Sequence, residues 1–250
     1  MTIAIVQGEE SDLPEVAGLF AAAFHDDPVI AVMIPGERNR LQRLTKVFLS
    51  ELRTGAMAGG AVDLARREDD GRLVGAAAWE SPDRKTSSWA KVRELPRVVS
   101  AVGLRHLPQT LRTLDVFAKS RPDHAHWYLV DIVVGEEARG LGIGSRLLNH
   151  RLEVVDEAGL PAYLEATTLG SQRLYERFGF TAKEWLHMTE SDYPVTMYRE
   201  IPEGGPLCGL VSTRPTRWRS QVGSTNFLVP KLVEPGREER AARVAPFEVG

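Results

Sequence analysis

The chain has 250 residues, 43% hydrophobic and 26% charged, enough apolar material for the core of one globular domain with or without an appendage. Its net charge of -3 lacks the basic footprint that nucleic-acid or anionic-membrane binding usually leaves, so a small-molecule or protein substrate is the expectation. Cys208 is the only cysteine, which excludes an internal disulfide and a cysteine-rich zinc site; with no leader-like start and no long apolar run, the chain reads as cytoplasmic, and monomer and homodimer are both open.

Thr2 to Val6 is a β-branched run ended by Gly8 and reads as a first strand. Asp12, as N-cap with Glu15 three residues on, opens a helix with Val16, Leu19, Phe20, Ala23 and Phe24 at helical spacing, and Pro28 falls just past its end. A second helix spans about Asn39 to Arg53, striped by Leu41, Leu44, Val47, Phe48 and Leu52. Strands over Ala61 to Arg66 and Leu73 to Trp79 follow, joined through Asp69, Asp70 and Gly71 as a hairpin.

From Ser81 to Pro122 the pattern is helical, with Pro96 expected to break a first helix and Pro108 suited to the first turn of a second. His126 to Val134 is the strongest strand signal in the chain. Beyond a glycine-rich turn, a helix from Gly142 to Ala158 carries Ile143, Leu147, Leu148, Leu152 and Val155 on one side and stops at Gly159 and Pro161. A strand at Ala162 to Glu165, a helix near Ser171 to Phe178, and strands near Thr181 to Met188 and Thr196 to Ile201 complete the pattern. After Pro202 periodicity is lost, so 1–201 reads as one domain and 202–250 as an irregular extension. Within that extension, a basic stretch with Arg214, Arg217, Trp218 and Arg219 and a short helix at 237–243 are the features of note.

Chemistry concentrates in Arg139-Gly140-Leu141-Gly142-Ile143-Gly144, set between a strong strand and a strong helix. Three glycines in five residues remove side chains where the backbone must approach a ligand, and the helix start adds unpaired N–H groups that suit a phosphate or diphosphate. A Walker-type loop needs Gly-Lys-Ser/Thr, which Gly144-Ser145-Arg146 does not supply. A dinucleotide fingerprint needs a third glycine where Ser145 stands; Glu165, ending the next strand, keeps that reading as an alternative.

The run Arg139 to Gly144 matches the Q/R-x-x-G-x-G/A signature of the GNAT superfamily of N-acetyltransferases. LPAYLEATTLGSQRLYERFGF, WESP at Trp79 to Pro82 and HWYLVDIVV resemble the branch that contains puromycin N-acetyltransferase. The resemblance covers residues 2 to 201. It implies an α+β fold: a mixed, mainly antiparallel sheet of six or seven strands, splayed at its central strands and flanked by helices. It further implies acetyl-CoA as co-substrate, with no metal, and direct acetyl transfer to an amine, here of a small molecule such as an antibiotic or another metabolite. In that reading the backbone of Ile132, Val133 and Val134 holds the pantetheine arm, and the amides of Arg139, Gly140, Leu141, Gly142, Ile143, Gly144 and Ser145 wrap the diphosphate. Tyr175 faces the coenzyme sulfur, and Ser171 replaces an asparagine that helps hold the coenzyme in relatives.

The amine must lose its proton before attack, so a base or a water chain is required. Glu80, Asp131 and Glu165 are the carboxylates near strand ends or on central strands. Glu165, which has a counterpart in the resembling branch, is the first choice for a polar group near the acceptor, with a purely orienting role equally open. Asp131, in the middle of an apolar strand, is costly to bury unpaired and could serve backbone groups instead. Acceptor selectivity is expected in the Ser81 to Pro122 region, with Trp89, Lys85, Lys91, Arg93 and Arg97 as a helical lid. The alternatives to a small-molecule enzyme are a non-catalytic acyl-CoA sensor and a protein N-acetyltransferase on the same fold.

Overall fold

The computed structural model describes residues 2–83, 88–189 and 192–201. The 202–250 extension with Cys208, Arg214, Arg217, Trp218 and Arg219, and also Lys85, lie outside the described residues. The elements in chain order are β1 (Ile3–Gln7), α1 (Leu13–Ala23), α2 (Pro28–Met33), α3 (Arg40–Thr54), α4 (Ala56–Gly59), β2 (Gly60–Arg67), β3 (Leu73–Glu80), α5 (Ser88–Val102) and α6 (Leu107–Ser120). They continue with β4 (Trp127–Val134), α7 (Ile143–Glu157), β5 (Ala162–Ala166), α8 (Leu169–Glu176), β6 (Thr181–Trp185) and β7 (Val195–Arg199). Among these helices none is long and apolar enough to cross a membrane.

The strands form one seven-stranded sheet in the order β1-β2-β3-β4-β5-β7-β6. Every neighbouring pair is antiparallel except β4 with β5. That arrangement is the expected mixed, mainly antiparallel sheet and departs from the parallel doubly wound sheet of a dinucleotide-binding domain. Both faces are covered. On one, Phe20, Leu44, Phe48 and Leu52 of α1 and α3 pack on Val62, Leu64 and Val133. On the other, Ile143, Leu147, Leu148 and Leu152 of α7 pack on Val74, Ala77 and Leu129. Beneath α7, Arg151 forks onto the fully buried Asp63 of β2, with Nε to Oδ2 at 2.9 Å and a shorter bond from Nη2 to Oδ1, which ties that helix to the sheet.

Three local expectations are corrected. Pro28 starts a helix rather than following one: Asp27 Oδ1 accepts from the Val29 and Ile30 N–H groups at 2.9 and 3.0 Å, and the proline at the first position loses a donor the helix cannot use. Pro96 sits inside an unbroken α5, where packing of the helix on α3 offsets the missing hydrogen bond. Asp12 does not cap α1 with its side chain; its carboxylate accepts from the Glu9 N–H at 2.8 Å and pairs with Arg66 at 2.9 Å, while a short 3-10 turn over Glu10–Asp12 leads into the helix. The short α2 is held at both ends. Arg40, 4% exposed, donates to His25 O at 2.7 Å and also to Ile34 O, and the Thr110 hydroxyl of α6 donates to Met33 O at 2.7 Å.

Candidate active site

The site begins where two strands part. β4 and β5 pair at Trp127 with Ala162, Tyr128 with Tyr163, and Leu129 with Leu164. Beyond that rung β4 continues to Val134 bonded only to β3, and β5 continues through Glu165 and Ala166 bonded only to β7. The inner edges of both strands therefore present backbone groups with no ladder partner across the gap, and an extended ligand could satisfy them. Ile132, Val133 and Val134 lie on that free edge.

A β-bulge shapes the same stretch. Ala78 pairs with Asp131 but Trp79 pairs with Leu129, so Val130 is skipped. Bulges re-aim side chains, and here Val130 and the adjacent Asp131 line one cavity although neighbours in a regular strand face opposite ways. Strict alternation from Tyr128 and Val130 would have turned Asp131 toward α7.

At the far end of β4 the glycine turn leads into α7. Gly140 and Gly142 adopt φ of +77° and +73°, the left-handed region that a residue with a Cβ enters only with strain. Ile143 is buried at 2% exposure and anchors the first turn, whereas Leu141 is 56% exposed. No side chain caps α7, so its first-turn amides remain available at the positive end of the helix dipole. The fit to a diphosphate is thus one of backbone donors. Arg139 Nη1 lies 3.9 Å from Glu136 Oε1, and Arg146 donates to Ile3 O at 2.7 Å.

On the α1, α2, α3 and α6 side of the gap lies a cavity of about 90 Å³. Phe24, Met33, Phe48, Leu114 and Phe117 supply apolar wall, and Asp27, Glu51, Asp131 and Glu165 supply carboxylates. The Asp131 Oδ2 and Glu165 Oε1 atoms are buried with no hydrogen-bond partner. Burial, reinforced by the charges of Asp27, Glu165 and Glu80, pushes the Asp131 carboxyl up to about 7. Burial also raises Glu165, opposed by the charge of Arg121. The hydroxyls of Tyr128 and Tyr163 stand close enough to Glu165 to influence its ionisation, yet the Tyr163 hydroxyl completes no hydrogen bond. Arg121, the cation of the cavity, is partly engaged elsewhere: its guanidinium lies 3.6 Å from the centre of the Tyr128 ring and Nη1 is 3.2 Å from Glu80 Oε2, while its Nε has no hydrogen-bond partner.

Tyr175 stands on the other side of the gap, on α8. It is 6% exposed and packs at 6.0 Å from the Phe180 ring. Burial and the charge of Asp131 push its phenol above the usual tyrosine range, so the hydroxyl keeps its proton. Asp131 is close enough to act on both Tyr175 and the cavity carboxylates.

The structure therefore brings Tyr175, Glu165, Ile132, Val133 and Val134 around one gap, with the Arg139 to Ser145 turn at the end of β4. Ser171 is committed to a local cap: its hydroxyl donates to Thr168 O at 2.9 Å and faces the Thr168 N–H at 3.2 Å. Of the expected lid, only the α6 portion lines the cavity. Trp89 is 75% exposed, and Lys91, Arg93 and Arg97 do not line it. The sequence does not announce the aromatic wall or the contribution of α2, because Phe24 and Phe48 each continue the apolar stripe of their own helix and read as core until the helices are placed. Among the described residues no group of three His, Cys, Asp or Glu side chains is arranged to hold a metal.

Three comparisons bear on this geometry. The acetyltransferase (GNAT) family model matches residues 59–180, the interval from β2 to the end of the turn after α8. An uncharacterized N-acetyltransferase of Schizosaccharomyces pombe is 25% identical over 207 residues, 78% of this chain and 81% of that protein. The crystal structure of a histone acetyltransferase HPA2 and related acetyltransferase from Corynebacterium glutamicum superposes with a TM-score of 0.63 at 26% identity, covering 81% of this chain and 98% of that one.

Proposed function

We infer that the chain is an acetyltransferase of the GNAT family that moves the acetyl group of acetyl-CoA to the amine of a small molecule by direct attack. The observation that carries this reading is the gap between β4 and β5, which has uncapped helix amides at one end, Tyr175 on one face and the Asp131 and Glu165 carboxylates on the other. Acetyl-CoA supplies the acetyl group as an activated thioester. The free edge at Ile132 to Val134 and the amides of Arg139 to Ser145 hold its arm and diphosphate, independently of the side chains at Leu141 and Ile143.

Asp131 is the proton acceptor in this reading, a role sequence reasoning left open beside Glu165. An alkylammonium must shed a proton before nitrogen can attack, and a carboxyl raised to about 7 is matched to that transfer near neutral pH. Glu165 shares the charge of the bound ammonium and orients it. Tyr175 keeps its proton and donates a hydrogen bond to the sulfur as the carbon–sulfur bond breaks, which stabilises the developing thiolate. Residues 1–201 supply the whole of this machinery.

Isothermal titration of the full chain with acetyl-CoA, NADH and NADPH tests the reading, repeated with Gly142→Glu. Binding of acetyl-CoA alone, lost in the variant, is the expected result. Thiol release with an amine panel then separates an enzyme from an acyl-CoA sensor, since a sensor binds the thioester and turns over no amine. Selective NADH or NADPH binding overturns the proposal.

A further inference from the structure

We propose that the acceptor is a compact, lipophilic amine with a single positive charge, its ammonium held between Asp131 and Glu165 and its apolar body lying against Phe24, Phe48 and Phe117. The inference rests on the acetyltransferase reading and names the class of its second substrate. Three features of the cavity carry it: charge, polarity of the walls, and size.

The lining carboxylates outnumber the lining cation, Arg121, whose guanidinium serves Glu80 and the Tyr128 ring and keeps its Nε unpartnered. Two carboxylate oxygens, Asp131 Oδ2 and Glu165 Oε1, are buried without a hydrogen-bond partner. Buried acceptors in this condition are costly, and a cationic donor between them removes the cost. A neutral donor offsets it less than a cation does, and an anionic acceptor leaves it in place. The carboxylates also sit at the gap that separates the cavity from Tyr175, so a nitrogen held by them is presented toward the proposed thioester.

Away from that end most of the wall is aromatic and aliphatic, with Asp27 and Glu51 at its margin. Phe24 and Phe48 stack at 5.5 Å with their planes 27° apart, and Phe48 meets Phe20 edge-on at 5.7 Å, so each ring is fixed by its neighbour and the wall is pre-formed. The other two lining carboxylates are already engaged, Asp27 by the Val29 and Ile30 amides and Glu51 by an interaction of its own, so a second ammonium, as in a polyamine, gains less there than the first gains between Asp131 and Glu165. The volume, about 90 Å³, is smaller than the roughly 150 Å³ of an apolar protein cavity that accepts benzene. A short alkyl chain fits, and so does one ring reaching toward the mouth. An aminonucleoside or aminosugar antibiotic would leave most of its bulk outside the cavity, which favours the smaller among the acceptors expected from the sequence.

The test compares hexylamine, 2-phenylethylamine, spermidine, puromycin and a lysine-containing peptide as acceptors for the full chain, with thiol release as readout. A kcat/KM for the lipophilic monoamines at least about tenfold above the other three is expected. Filling the cavity with Ala118→Phe should raise the monoamine KM by about tenfold while the acetyl-CoA Kd stays the same. A second readout needs no turnover. Calorimetric binding of 2-phenylethylamine should exceed that of the neutral 2-phenylethanol and should release a proton, seen as an enthalpy that changes with the buffer. Preference for spermidine, puromycin or the peptide overturns the inference while leaving the acetyltransferase reading intact. Failure of wild-type protein to bind acetyl-CoA overturns both.

Discussion

Leu129 and Leu164 form the last rung between β4 and β5, and everything assigned to the site lies just beyond them. From that rung the two strands diverge with their outer edges still bonded to β3 and β7, so the gap is held open from both sides. Within it the bulge at Val130 turns Asp131 into the cavity, and this placement fixes the first prediction.

Asp131→Asn should lower kcat/KM by about 10²–10⁴ if the carboxylate is the proton acceptor. In wild type, activity should rise with pH through about 7, the value to which burial and the neighbouring carboxylates bring this group. In the variant that rise should vanish. A merely structural Asp131 would lower activity without moving the pH profile.

The same carboxyl costs stability. Its folded value of about 7 lies above the ordinary 3.8, so the folded state is favoured while the group is protonated and loses that advantage as pH climbs through 7. Asp131→Asn is therefore expected to melt above wild type at pH 8, with the difference shrinking toward pH 4. Thermal denaturation across that range measures it, and an unchanged difference would show that the group is not raised.

Tyr175→Phe should reduce kcat and leave acetyl-CoA affinity unchanged, because the hydroxyl is assigned to the departing sulfur and the ring to packing against Phe180. Since the phenol is held above its usual range, wild type should show no alkaline loss of activity from this residue below pH 10. Single-turnover and titration measurements together separate the two effects.

The three glycines of the turn are not equivalent. Gly142 has a φ of +73°, and an alanine there costs about 1–2 kcal/mol in the left-handed region, or distorts the first turn of α7. A Cβ on Gly144 meets Leu174 and Val134 at 3.7 Å, an ordinary contact. Gly142→Ala should thus weaken acetyl-CoA binding, and Gly144→Ala should leave it near wild type. Equal losses in both would argue that side-chain-free space, not backbone conformation, is what the turn supplies.

Arg151→Met leaves the fully buried Asp63 carboxylate without its fork and should destabilise the protein by about 3–5 kcal/mol. Adding Asp63→Leu should restore most of the loss. Chemical denaturation of the two variants checks both halves of the statement.

The sequence made the elements that position the diphosphate turn legible, because β4 is a long apolar run and α7 keeps its helical period from Ile143 to Val155. The turn between them announced itself through glycine spacing. The cavity was far less legible. Pro28 reads as a stop signal unless Asp27 is seen to cap the turn it opens, so α2 went unseen. The bulge leaves no mark in composition, since Val130 and Asp131 look like two steps of a regular strand until the Ala78 and Trp79 pairings are known. Phe24, Phe48 and Phe117 come from three helices, and only their packing reveals that they face a hollow instead of one another alone.

Three rungs are all that carry the sheet from β4 to β5, so the described molecule is built as two leaves sewn together along a short seam. One leaf holds β1 to β4 and the other β5 to β7. At the seam, Tyr128 and Tyr163 lie with their rings 5.7 Å apart, and beneath it α7 reaches both leaves, through the core it shares with Leu164 and Met197 and through Asp156, which takes the Arg199 guanidinium. A ligand bonded across the open end acts as a stitch, adding its binding energy to the cohesion of the whole protein. In the acetyl-CoA reading, releasing the spent coenzyme means unpicking that stitch.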